Sequence, residues 1–340
     1  MSEQSQRPID LAVFGAGYWG TKIAREYASI ESSTNDVRLL YVVDSSRPAL
    51  DAARRELSKL ALPSNCTEFF ADYEEVLRDS RVKAVHIALP NHLHYQVAHK
   101  ALESGKHVLL EKPIATTSSE AFKLARLAEE MGLVLAVGHI FRFNNALRTV
   151  KEIVETRRFG RIYYANLTWA THMQPLPKDR DIVFDLAPHP IDVLNYLLDE
   201  WPTCVGAIGD SYVQKRQNAE EVAFISLELP GHILASIYLS WIHHGLKERS
   251  ISLICEKGTI TCDPLNQRIQ LDYSSSSEEG TVFPEPTIVA NNTIRDMQYH
   301  FIERIRSKGP LLNNAMIGAQ VVQILEQITT AMRVRRAIPT

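Results

Sequence analysis

Residues 9–20 read IDLAVFGAGYWG. The first six form an apolar run of strand length. The glycine-rich turn Gly15-Ala16-Gly17-Tyr18-Trp19-Gly20 follows at once and opens a helix expected over residues 21–30. A GxGxxG between strand and helix suits a dinucleotide. Gly15 permits the tight turn, Gly17 lets the backbone approach a pyrophosphate, and Gly20 lets helix and strand pack closely. The anion would rest on the helix N-terminus, where free N–H groups and the dipole favour negative charge. Tyr18 and Trp19 fall within the same turn and are counted with the cofactor-binding residues.

Further along, a second apolar run over 37–43 ends in Asp44. Its distance from the glycines, roughly two dozen residues, suits a carboxylate that binds adenosine ribose hydroxyls. Asp44 would repel a 2′-phosphate, so NAD is the expected cofactor. Ser45, Ser46 and Arg47 follow directly and keep NADP as the alternative. The alternation then continues: helix 51–60, strand 68–70, helix 73–79, strand 83–89, helix 93–104, strand 107–110, helix 118–131 and strand 133–137. This βαβ regularity predicts a doubly wound parallel sheet, a Rossmann domain over residues 1–138.

After Gly138 the period changes. A helix is expected over 145–157, then alternating segments at 161–170, 203–209, 222–228, 233–241, 249–255, 259–262 and 269–271. Period-2 alternation suits a large open, mainly antiparallel sheet in an α+β domain over 139–340. Tyr163, Leu167 and Trp169 fall on one face, with Ile162, Tyr164 and Thr168 on the other. Both faces carry large groups, so a second subunit is expected to cover one of them, in a homodimer or homotetramer. Two helices, 292–306 and 314–334, close the chain, and the last is expected to pack back on the first domain. The run SSSSEEG at 274–280 reads as a polar loop.

Candidate chemistry falls at three places. Strand 107–110 ends in Glu111-Lys112-Pro113, and ligands of open parallel sheets sit beyond the carboxyl ends of strands. A partly desolvated lysine there can handle protons near neutral pH. Strand 83–89 ends in Pro90-Asn91-His92-Leu93-His94, expected to cap the next helix or line the cofactor cleft. His92 and His94 lack an evident third ligand, so no metal is expected. In the second half, Asp185-Leu-Ala-Pro188-His189-Pro190-Ile-Asp192 precedes a helix. Prolines at 188 and 190 fit only a first turn, which sets Asp185 just before the helix and His189 inside its first turn. His189 is the natural general base. Asp185 would orient it or share substrate hydroxyls, and Asp192 lies three residues on, along the same helix face.

Four stretches resemble one family, the Gfo/Idh/MocA oxidoreductases, which includes glucose–fructose oxidoreductase, inositol dehydrogenase and nucleotide-sugar dehydrogenases. They are GAGYWG at 15–20, PNHLHYQVAHKALESGKHVLLEKP at 90–113, GHIFRFN at 138–144 and DLAPHPID at 185–192. With the order of elements, the likeness covers nearly the whole chain. It implies a catalytic set of Lys112, Asp185 and His189, NAD or NADP as cofactor, an oligomer built on the second sheet, and a cis peptide bond between Lys112 and Pro113 of this chain. It places Gly15, Gly17, Tyr18, Trp19, Gly20, Asp44, Arg47, Pro90, Asn91, His94, Glu111 and Lys112 around the cofactor. The implied reaction is hydride transfer between nicotinamide and a sugar C–OH. C3 of a nucleotide-linked sugar such as UDP-N-acetylglucosamine or its uronate comes first, and a free sugar or inositol second. Arg142, Asn144, His172, Lys178 and Asp192 are the candidate substrate groups. A non-catalytic NAD(H)-binding regulator is the reading from another class.

Composition bounds the rest. In 340 residues, 45% are hydrophobic and 23% charged, with a formal net charge of −3. That is an ordinary globular profile. No Lys/Arg run would track a phosphate backbone, so no nucleic-acid partner is expected. No apolar stretch nears the ~18 residues of a membrane span, and MSEQSQRPID has no apolar signal core. A cytoplasmic protein with reduced thiols at Cys66, Cys204, Cys255 and Cys262 is expected.

Overall fold

Six strands run parallel in the first sheet: β1 (Ile9–Phe14), β2 (Val37–Val43), β3 (Glu68–Phe70), β4 (Ala84–Ile87), β5 (His107–Leu110) and β6 (Leu135–Val137). Between them lie α1 (Tyr18–Thr34), α2 (Arg47–Ser58), α3 (Tyr73–Arg78), α4 (Asn91–Glu103) and α5 (Ser118–Glu130). The spatial order is β3-β2-β1-β4-β5-β6. It reverses at β1 and β4, so their carboxyl ends form the switch point at which such sheets bind ligands. The central strands are apolar on both faces because helices cover both. Leu11, Val13 and Phe14 are buried, each stabilising by about 1.5–3 kcal/mol. Polar side chains start the helices: Ser46 accepts from the Ala49 N–H, Asp72 from Glu74 and Thr117 from Glu120.

This computed structural model describes residues 7–60, 67–177, 181–214, 220–274, 286–307 and 309–334. Lys178, Cys66 and most of the 274–280 loop lie outside them.

The second sheet has seven strands: β7 (Ile162–Ala170), β8 (Cys204–Asp210), β9 (Val222–Leu229), β10 (Ile233–Ser240), β11 (Glu248–Cys255), β12 (Gly258–Asp263) and β13 (Arg268–Tyr273), in the order β13-β12-β11-β7-β10-β9-β8. Every pair is antiparallel except β7 with β10, which run parallel. One face is core: Leu167, Trp169, Ile225, Leu239 and Leu253 are buried. The other is open, with Ile208, Phe224 and Leu234 more than half exposed. Three helices accompany this sheet: α6 (Asn145–Glu155), α7 (Ile182–Leu186) and α8 (Pro188–Leu198). Two helices end the chain, α9 (Thr293–Ser307) and α10 (Ala315–Val334).

The chain divides into two units, residues 1–140 with 292–320, and residues 141–291 with 321–340. Side-chain bonds tie α9 into the first. Gln298 Nε2 donates to the Ile23 carbonyl at 3.1 Å, and Arg295 pairs with Glu26. Gly318 of α10 lies so close to Val137 that an added Cβ would come within 2.8 Å of it.

Candidate active site

In the first unit the site begins at the glycine turn. Gly15 has φ of +103°, and its N–H donates to the Val43 carbonyl at 2.7 Å. A Cβ there would strike the Ala88 carbonyl oxygen at 2.2 Å, so only glycine lets the turn rest on the exit of β4. Gly20 meets the Gly15 carbonyl in the same way, at 2.0 Å. Gly17 differs: it is exposed and faces open space. It begins α1 without any side-chain cap, and the first turn holds no acidic residue. The helix therefore presents first-turn N–H donors and a positive dipole end with no capping side chain of its own. Asp44 stands beside them, with Oδ2 accepting from the Ala16 N–H at 2.7 Å and Oδ1 from Ser46 at 2.8 Å. A dinucleotide fits this cradle: pyrophosphate on the α1 N-terminus, ribose near Asp44. Arg47 is exposed and sits 3.7 Å from Asp51. Tyr18 is exposed, and Trp19 is half-buried.

The exits of β4, β5 and β6 form the next part. Glu111 is buried at the end of β5, and His86 Nε2 lies 3.4 Å from its Oε1. His86 Nδ1 is 3.2 Å from the Tyr27 hydroxyl. Burial works to raise the Glu111 pKa. His86, the Trp19 indole and Lys112 outweigh it, and the carboxyl lies below its ordinary value. Gly138, at the exit of β6, leaves room for this group, since a Cβ there would meet Glu111 Oε2 at 2.7 Å. Lys112 follows, half-buried, and its bond to Pro113 is cis. Pro90 caps α4 and Asn91 begins it. His94, expected to cap a helix or line the cleft, is instead fully buried, with each ring nitrogen beside a backbone carbonyl.

In the second unit Asp185 precedes α8, the helix that carries His189, by three residues. It lies inside the short helix α7, which Asp181 starts by accepting from the Phe184 N–H at 2.9 Å. Only Ala187 separates α7 from α8, so Asp185 and His189 lie four residues apart along consecutive helical turns. The Trp241 indole donates to Asp185 Oδ2 at 3.2 Å. His189 stands in the first turn of α8 as expected, its ring 5.1 Å from Phe141 in an edge-on contact. Arg249, also buried, donates to the Ala170 carbonyl at 2.9 Å. Burial brings its pKa down to about 10, opposed by the Asp185 carboxylate.

Three candidate substrate groups are committed to the protein itself. Arg142 donates through Nε to Asp192 Oδ1 and through Nη2 to Asn195 Oδ1, both at 2.7 Å, and is 4% exposed. Asn144 caps α6, accepting from the Leu147 N–H while its amide donates to the Pro264 carbonyl. Asn144 thus ties the start of α6 to Pro264, and Arg142 is tied to Asp192 and Asn195 of α8, the helix that carries His189. His172 is exposed, with its ring 4.4 Å from that of His244. Sequence reasoning passed over His86, Trp241 and Arg249. A histidine inside the apolar run AVHI was the available signal for the first. Nothing local marked the other two. Among the described residues no group of three His, Cys, Asp or Glu could hold a metal, and no helix is long and apolar enough to cross a membrane.

Residues 9–139 match the family described as an oxidoreductase family with an NAD-binding Rossmann fold, and residues 147–261 match the GFO/IDH/MocA C-terminal domain. Together they cover well over half of the chain. A UDP-N-acetylglucosamine 3-dehydrogenase of Acidithiobacillus ferrooxidans is 31% identical over 197 residues, 58% of this chain and 56% of that one. A scyllo-inositol 2-dehydrogenase (NADP(+)) of Bacillus subtilis is 28% identical over 50% of this chain and 49% of its own. The chain thus spans about half the length of these curated relatives. A levoglucosan dehydrogenase solved with NADH and levoglucosan superposes with a TM-score of 0.83 at 20% identity, over 96% of this chain and 98% of that one. At that identity the likeness is one of fold.

Proposed function

This chain belongs to the Gfo/Idh/MocA family of oxidoreductases and carries its NAD-binding Rossmann domain, and from that premise we propose that it oxidises a sugar C–OH, or reduces the corresponding ketone, with C3 of a UDP-linked N-acetylhexosamine or its uronate as the lead substrate. The observation that carries the reading is the exit of β5. There a half-buried lysine follows a buried, ionised glutamate, in the same unit as an uncapped helix N-terminus and Asp44. When bound, the nicotinamide accepts or returns the hydride.

The chain's own groups handle the proton and the charge. Gly17 and the first turn of α1 hold the pyrophosphate, and Asp44 the ribose. His189 takes the hydroxyl proton, worth on the order of 10²–10⁴ in rate. Asp185, itself held by the Trp241 indole, keeps His189 oriented. Lys112 donates a hydrogen bond to the substrate oxygen and stabilises its developing negative charge. The UDP-sugar assignment is supported by the 31% identical relative, and the inositol dehydrogenase relative favours a free sugar or cyclitol as the second reading. The open face of the second sheet, with Phe224 stacked on Tyr238, we assign to contact with further copies of the chain, as a homodimer or homotetramer.

The test is a panel of UDP-sugars, free hexoses and inositols, followed by absorbance of reduced nicotinamide. Turnover on a UDP-sugar supports the lead, and turnover on an inositol alone selects the second reading. NADH binding without turnover on any of them points to a regulator. Lys112→Ala and His189→Ala should each lower kcat at least 10²-fold while NADH affinity stays within a few-fold. Near-normal turnover in either variant removes that residue from its role.

A further inference from the structure

His94 lies at the fourth position of α4, and its ring is fully buried. Nδ1 is 2.7 Å from the carbonyl oxygen of Pro113, and Nε2 is 2.8 Å from that of Leu89. A carbonyl oxygen only accepts hydrogen bonds. A neutral imidazole has one N–H and one bare lone pair. In the neutral form, one nitrogen would press its lone pair against a carbonyl oxygen at under 3 Å. Only the imidazolium, with two N–H groups, meets both contacts.

We propose that His94 is a positioning residue for Lys112: as a buried imidazolium it staples the exit of β4, through Leu89, to the segment that leaves β5, through Pro113. Lys112 is the residue directly before Pro113, so the staple fixes the backbone from which its ammonium projects. Ala88, one residue before Leu89, is the carbonyl on which the Gly15 turn rests. One ring therefore joins the support of the dinucleotide cradle to the base of the lysine. The role of Lys112 in turnover rests on the function proposed above, but the charge state and contacts of His94 do not.

Two charged groups face the ring. The Glu111 carboxylate favours the proton and the Lys112 ammonium opposes it. Burial is the largest influence and, together with the Lys112 ammonium, draws the imidazole pKa below its ordinary value, so the case for the charged form rests on the two carbonyl contacts. The two carbonyl acceptors pull the other way. Hydrogen bonding to the charged form is a recognised counterweight to desolvation, and here it is the only arrangement that leaves neither nitrogen opposed. The proton is thereby tied to the fold: a neutral His94 frees one carbonyl and loosens the loop on one side of Lys112.

The test uses the whole protein without substrate. Histidine ring nitrogens are labelled with ¹⁵N, and His94 is assigned by loss of its signals in His94→Gln. At pH 7.5 both ring nitrogens should resonate in the protonated range. A neutral tautomer at that pH, with one bare nitrogen, overturns the proposal. Reductive ¹³C-methylation then reports on Lys112, assigned by Lys112→Arg. Its signal should step at the pH at which His94 loses its proton, and the step should be missing in His94→Gln. A Lys112 signal that ignores His94 confines the ring to a merely structural part and sinks the positioning role. In turnover assays His94→Gln should lose about tenfold in kcat with the KM for NAD changed less than threefold. Absence of turnover in the wild type would count against the proposed function alone and leave the two spectroscopic outcomes to decide this inference.

Discussion

The Arg142 guanidinium and the Asp192 carboxylate, fifty positions apart in sequence, meet through an Nε–Oδ1 hydrogen bond of 2.7 Å, and both side chains are almost wholly buried. Arg142 spends a further donor on Asn195 and lies over the Tyr196 ring at 5.4 Å. Removing one partner of such a pair leaves an uncompensated charge in the interior, which costs about 3–5 kcal/mol. Arg142→Ala and Asp192→Ala should each lower unfolding free energy by that amount, measured by urea titration. A variant with wild-type stability and weakened substrate binding would return Arg142 to the ligand-binding groups.

Gly15 and Gly17 offer a contrast within one turn. Gly15→Ala meets a carbonyl oxygen at 2.2 Å from a backbone with φ of +103°. Strain of roughly 1–3 kcal/mol adds to overpacking of similar size, so Tm should fall by several degrees. Gly17→Ala has φ of −67° and nothing within 4 Å. Its Tm should hold, and NADH affinity should drop at least tenfold, because the new methyl stands where the pyrophosphate must approach the backbone. Thermal melts and fluorescence titration separate the two. Equal effects on stability would contradict this division of labour.

The first unit was legible largely because its signals are local. Strands β2, β3 and β5 have the bounds read from their apolar runs, and the glycine turn announces itself by spacing. α7 was missed because DIVFDL carries no helical period, and its existence rests on the Asp181 cap and burial against the second sheet. The parallel pairing of β7 with β10 was invisible for another reason: alternation reports which face is buried, not which neighbour pairs. The partners of Arg142 and Asp185 lie dozens of residues away, beyond any window that periodicity can scan. Local pattern thus located the reacting groups and left their supporting bonds to the structure.

The cysteines give a readout of packing that needs no substrate. Burial pushes the Cys255 thiol up to about 11, and burial with the Asp263 charge pushes Cys262 up to about 12. Cys204 is exposed. At pH 8 the Cys255 thiolate is on the order of one part in a thousand, and the thiolate is the reacting species. Iodoacetamide on the native protein should therefore modify Cys204 and spare Cys255 and Cys262 until denaturant is added, as read by peptide mass mapping. Ready alkylation of Cys262 in the folded state would mean that β12 is not buried as described.

Glu111 makes the stability of the first unit depend on acid. Its folded pKa lies below the ordinary carboxylate value, because His86, Trp19 and Lys112 outweigh the cost of burial. A depressed carboxyl contributes stability that is fully present above its unfolded pKa and is lost as pH falls through the folded one. Glu111→Gln keeps the shape and removes the charge, so it should be less stable than wild type by about 1–3 kcal/mol at pH 7. The gap should narrow as pH drops below about 5 and through the lowered folded pKa, where the wild-type group takes up its proton. Urea midpoints at pH 7, 5 and 3.5 measure this directly. A gap that stays constant across the three would show that Glu111 is held neutral, and Lys112 would then lack the neighbouring negative charge described here.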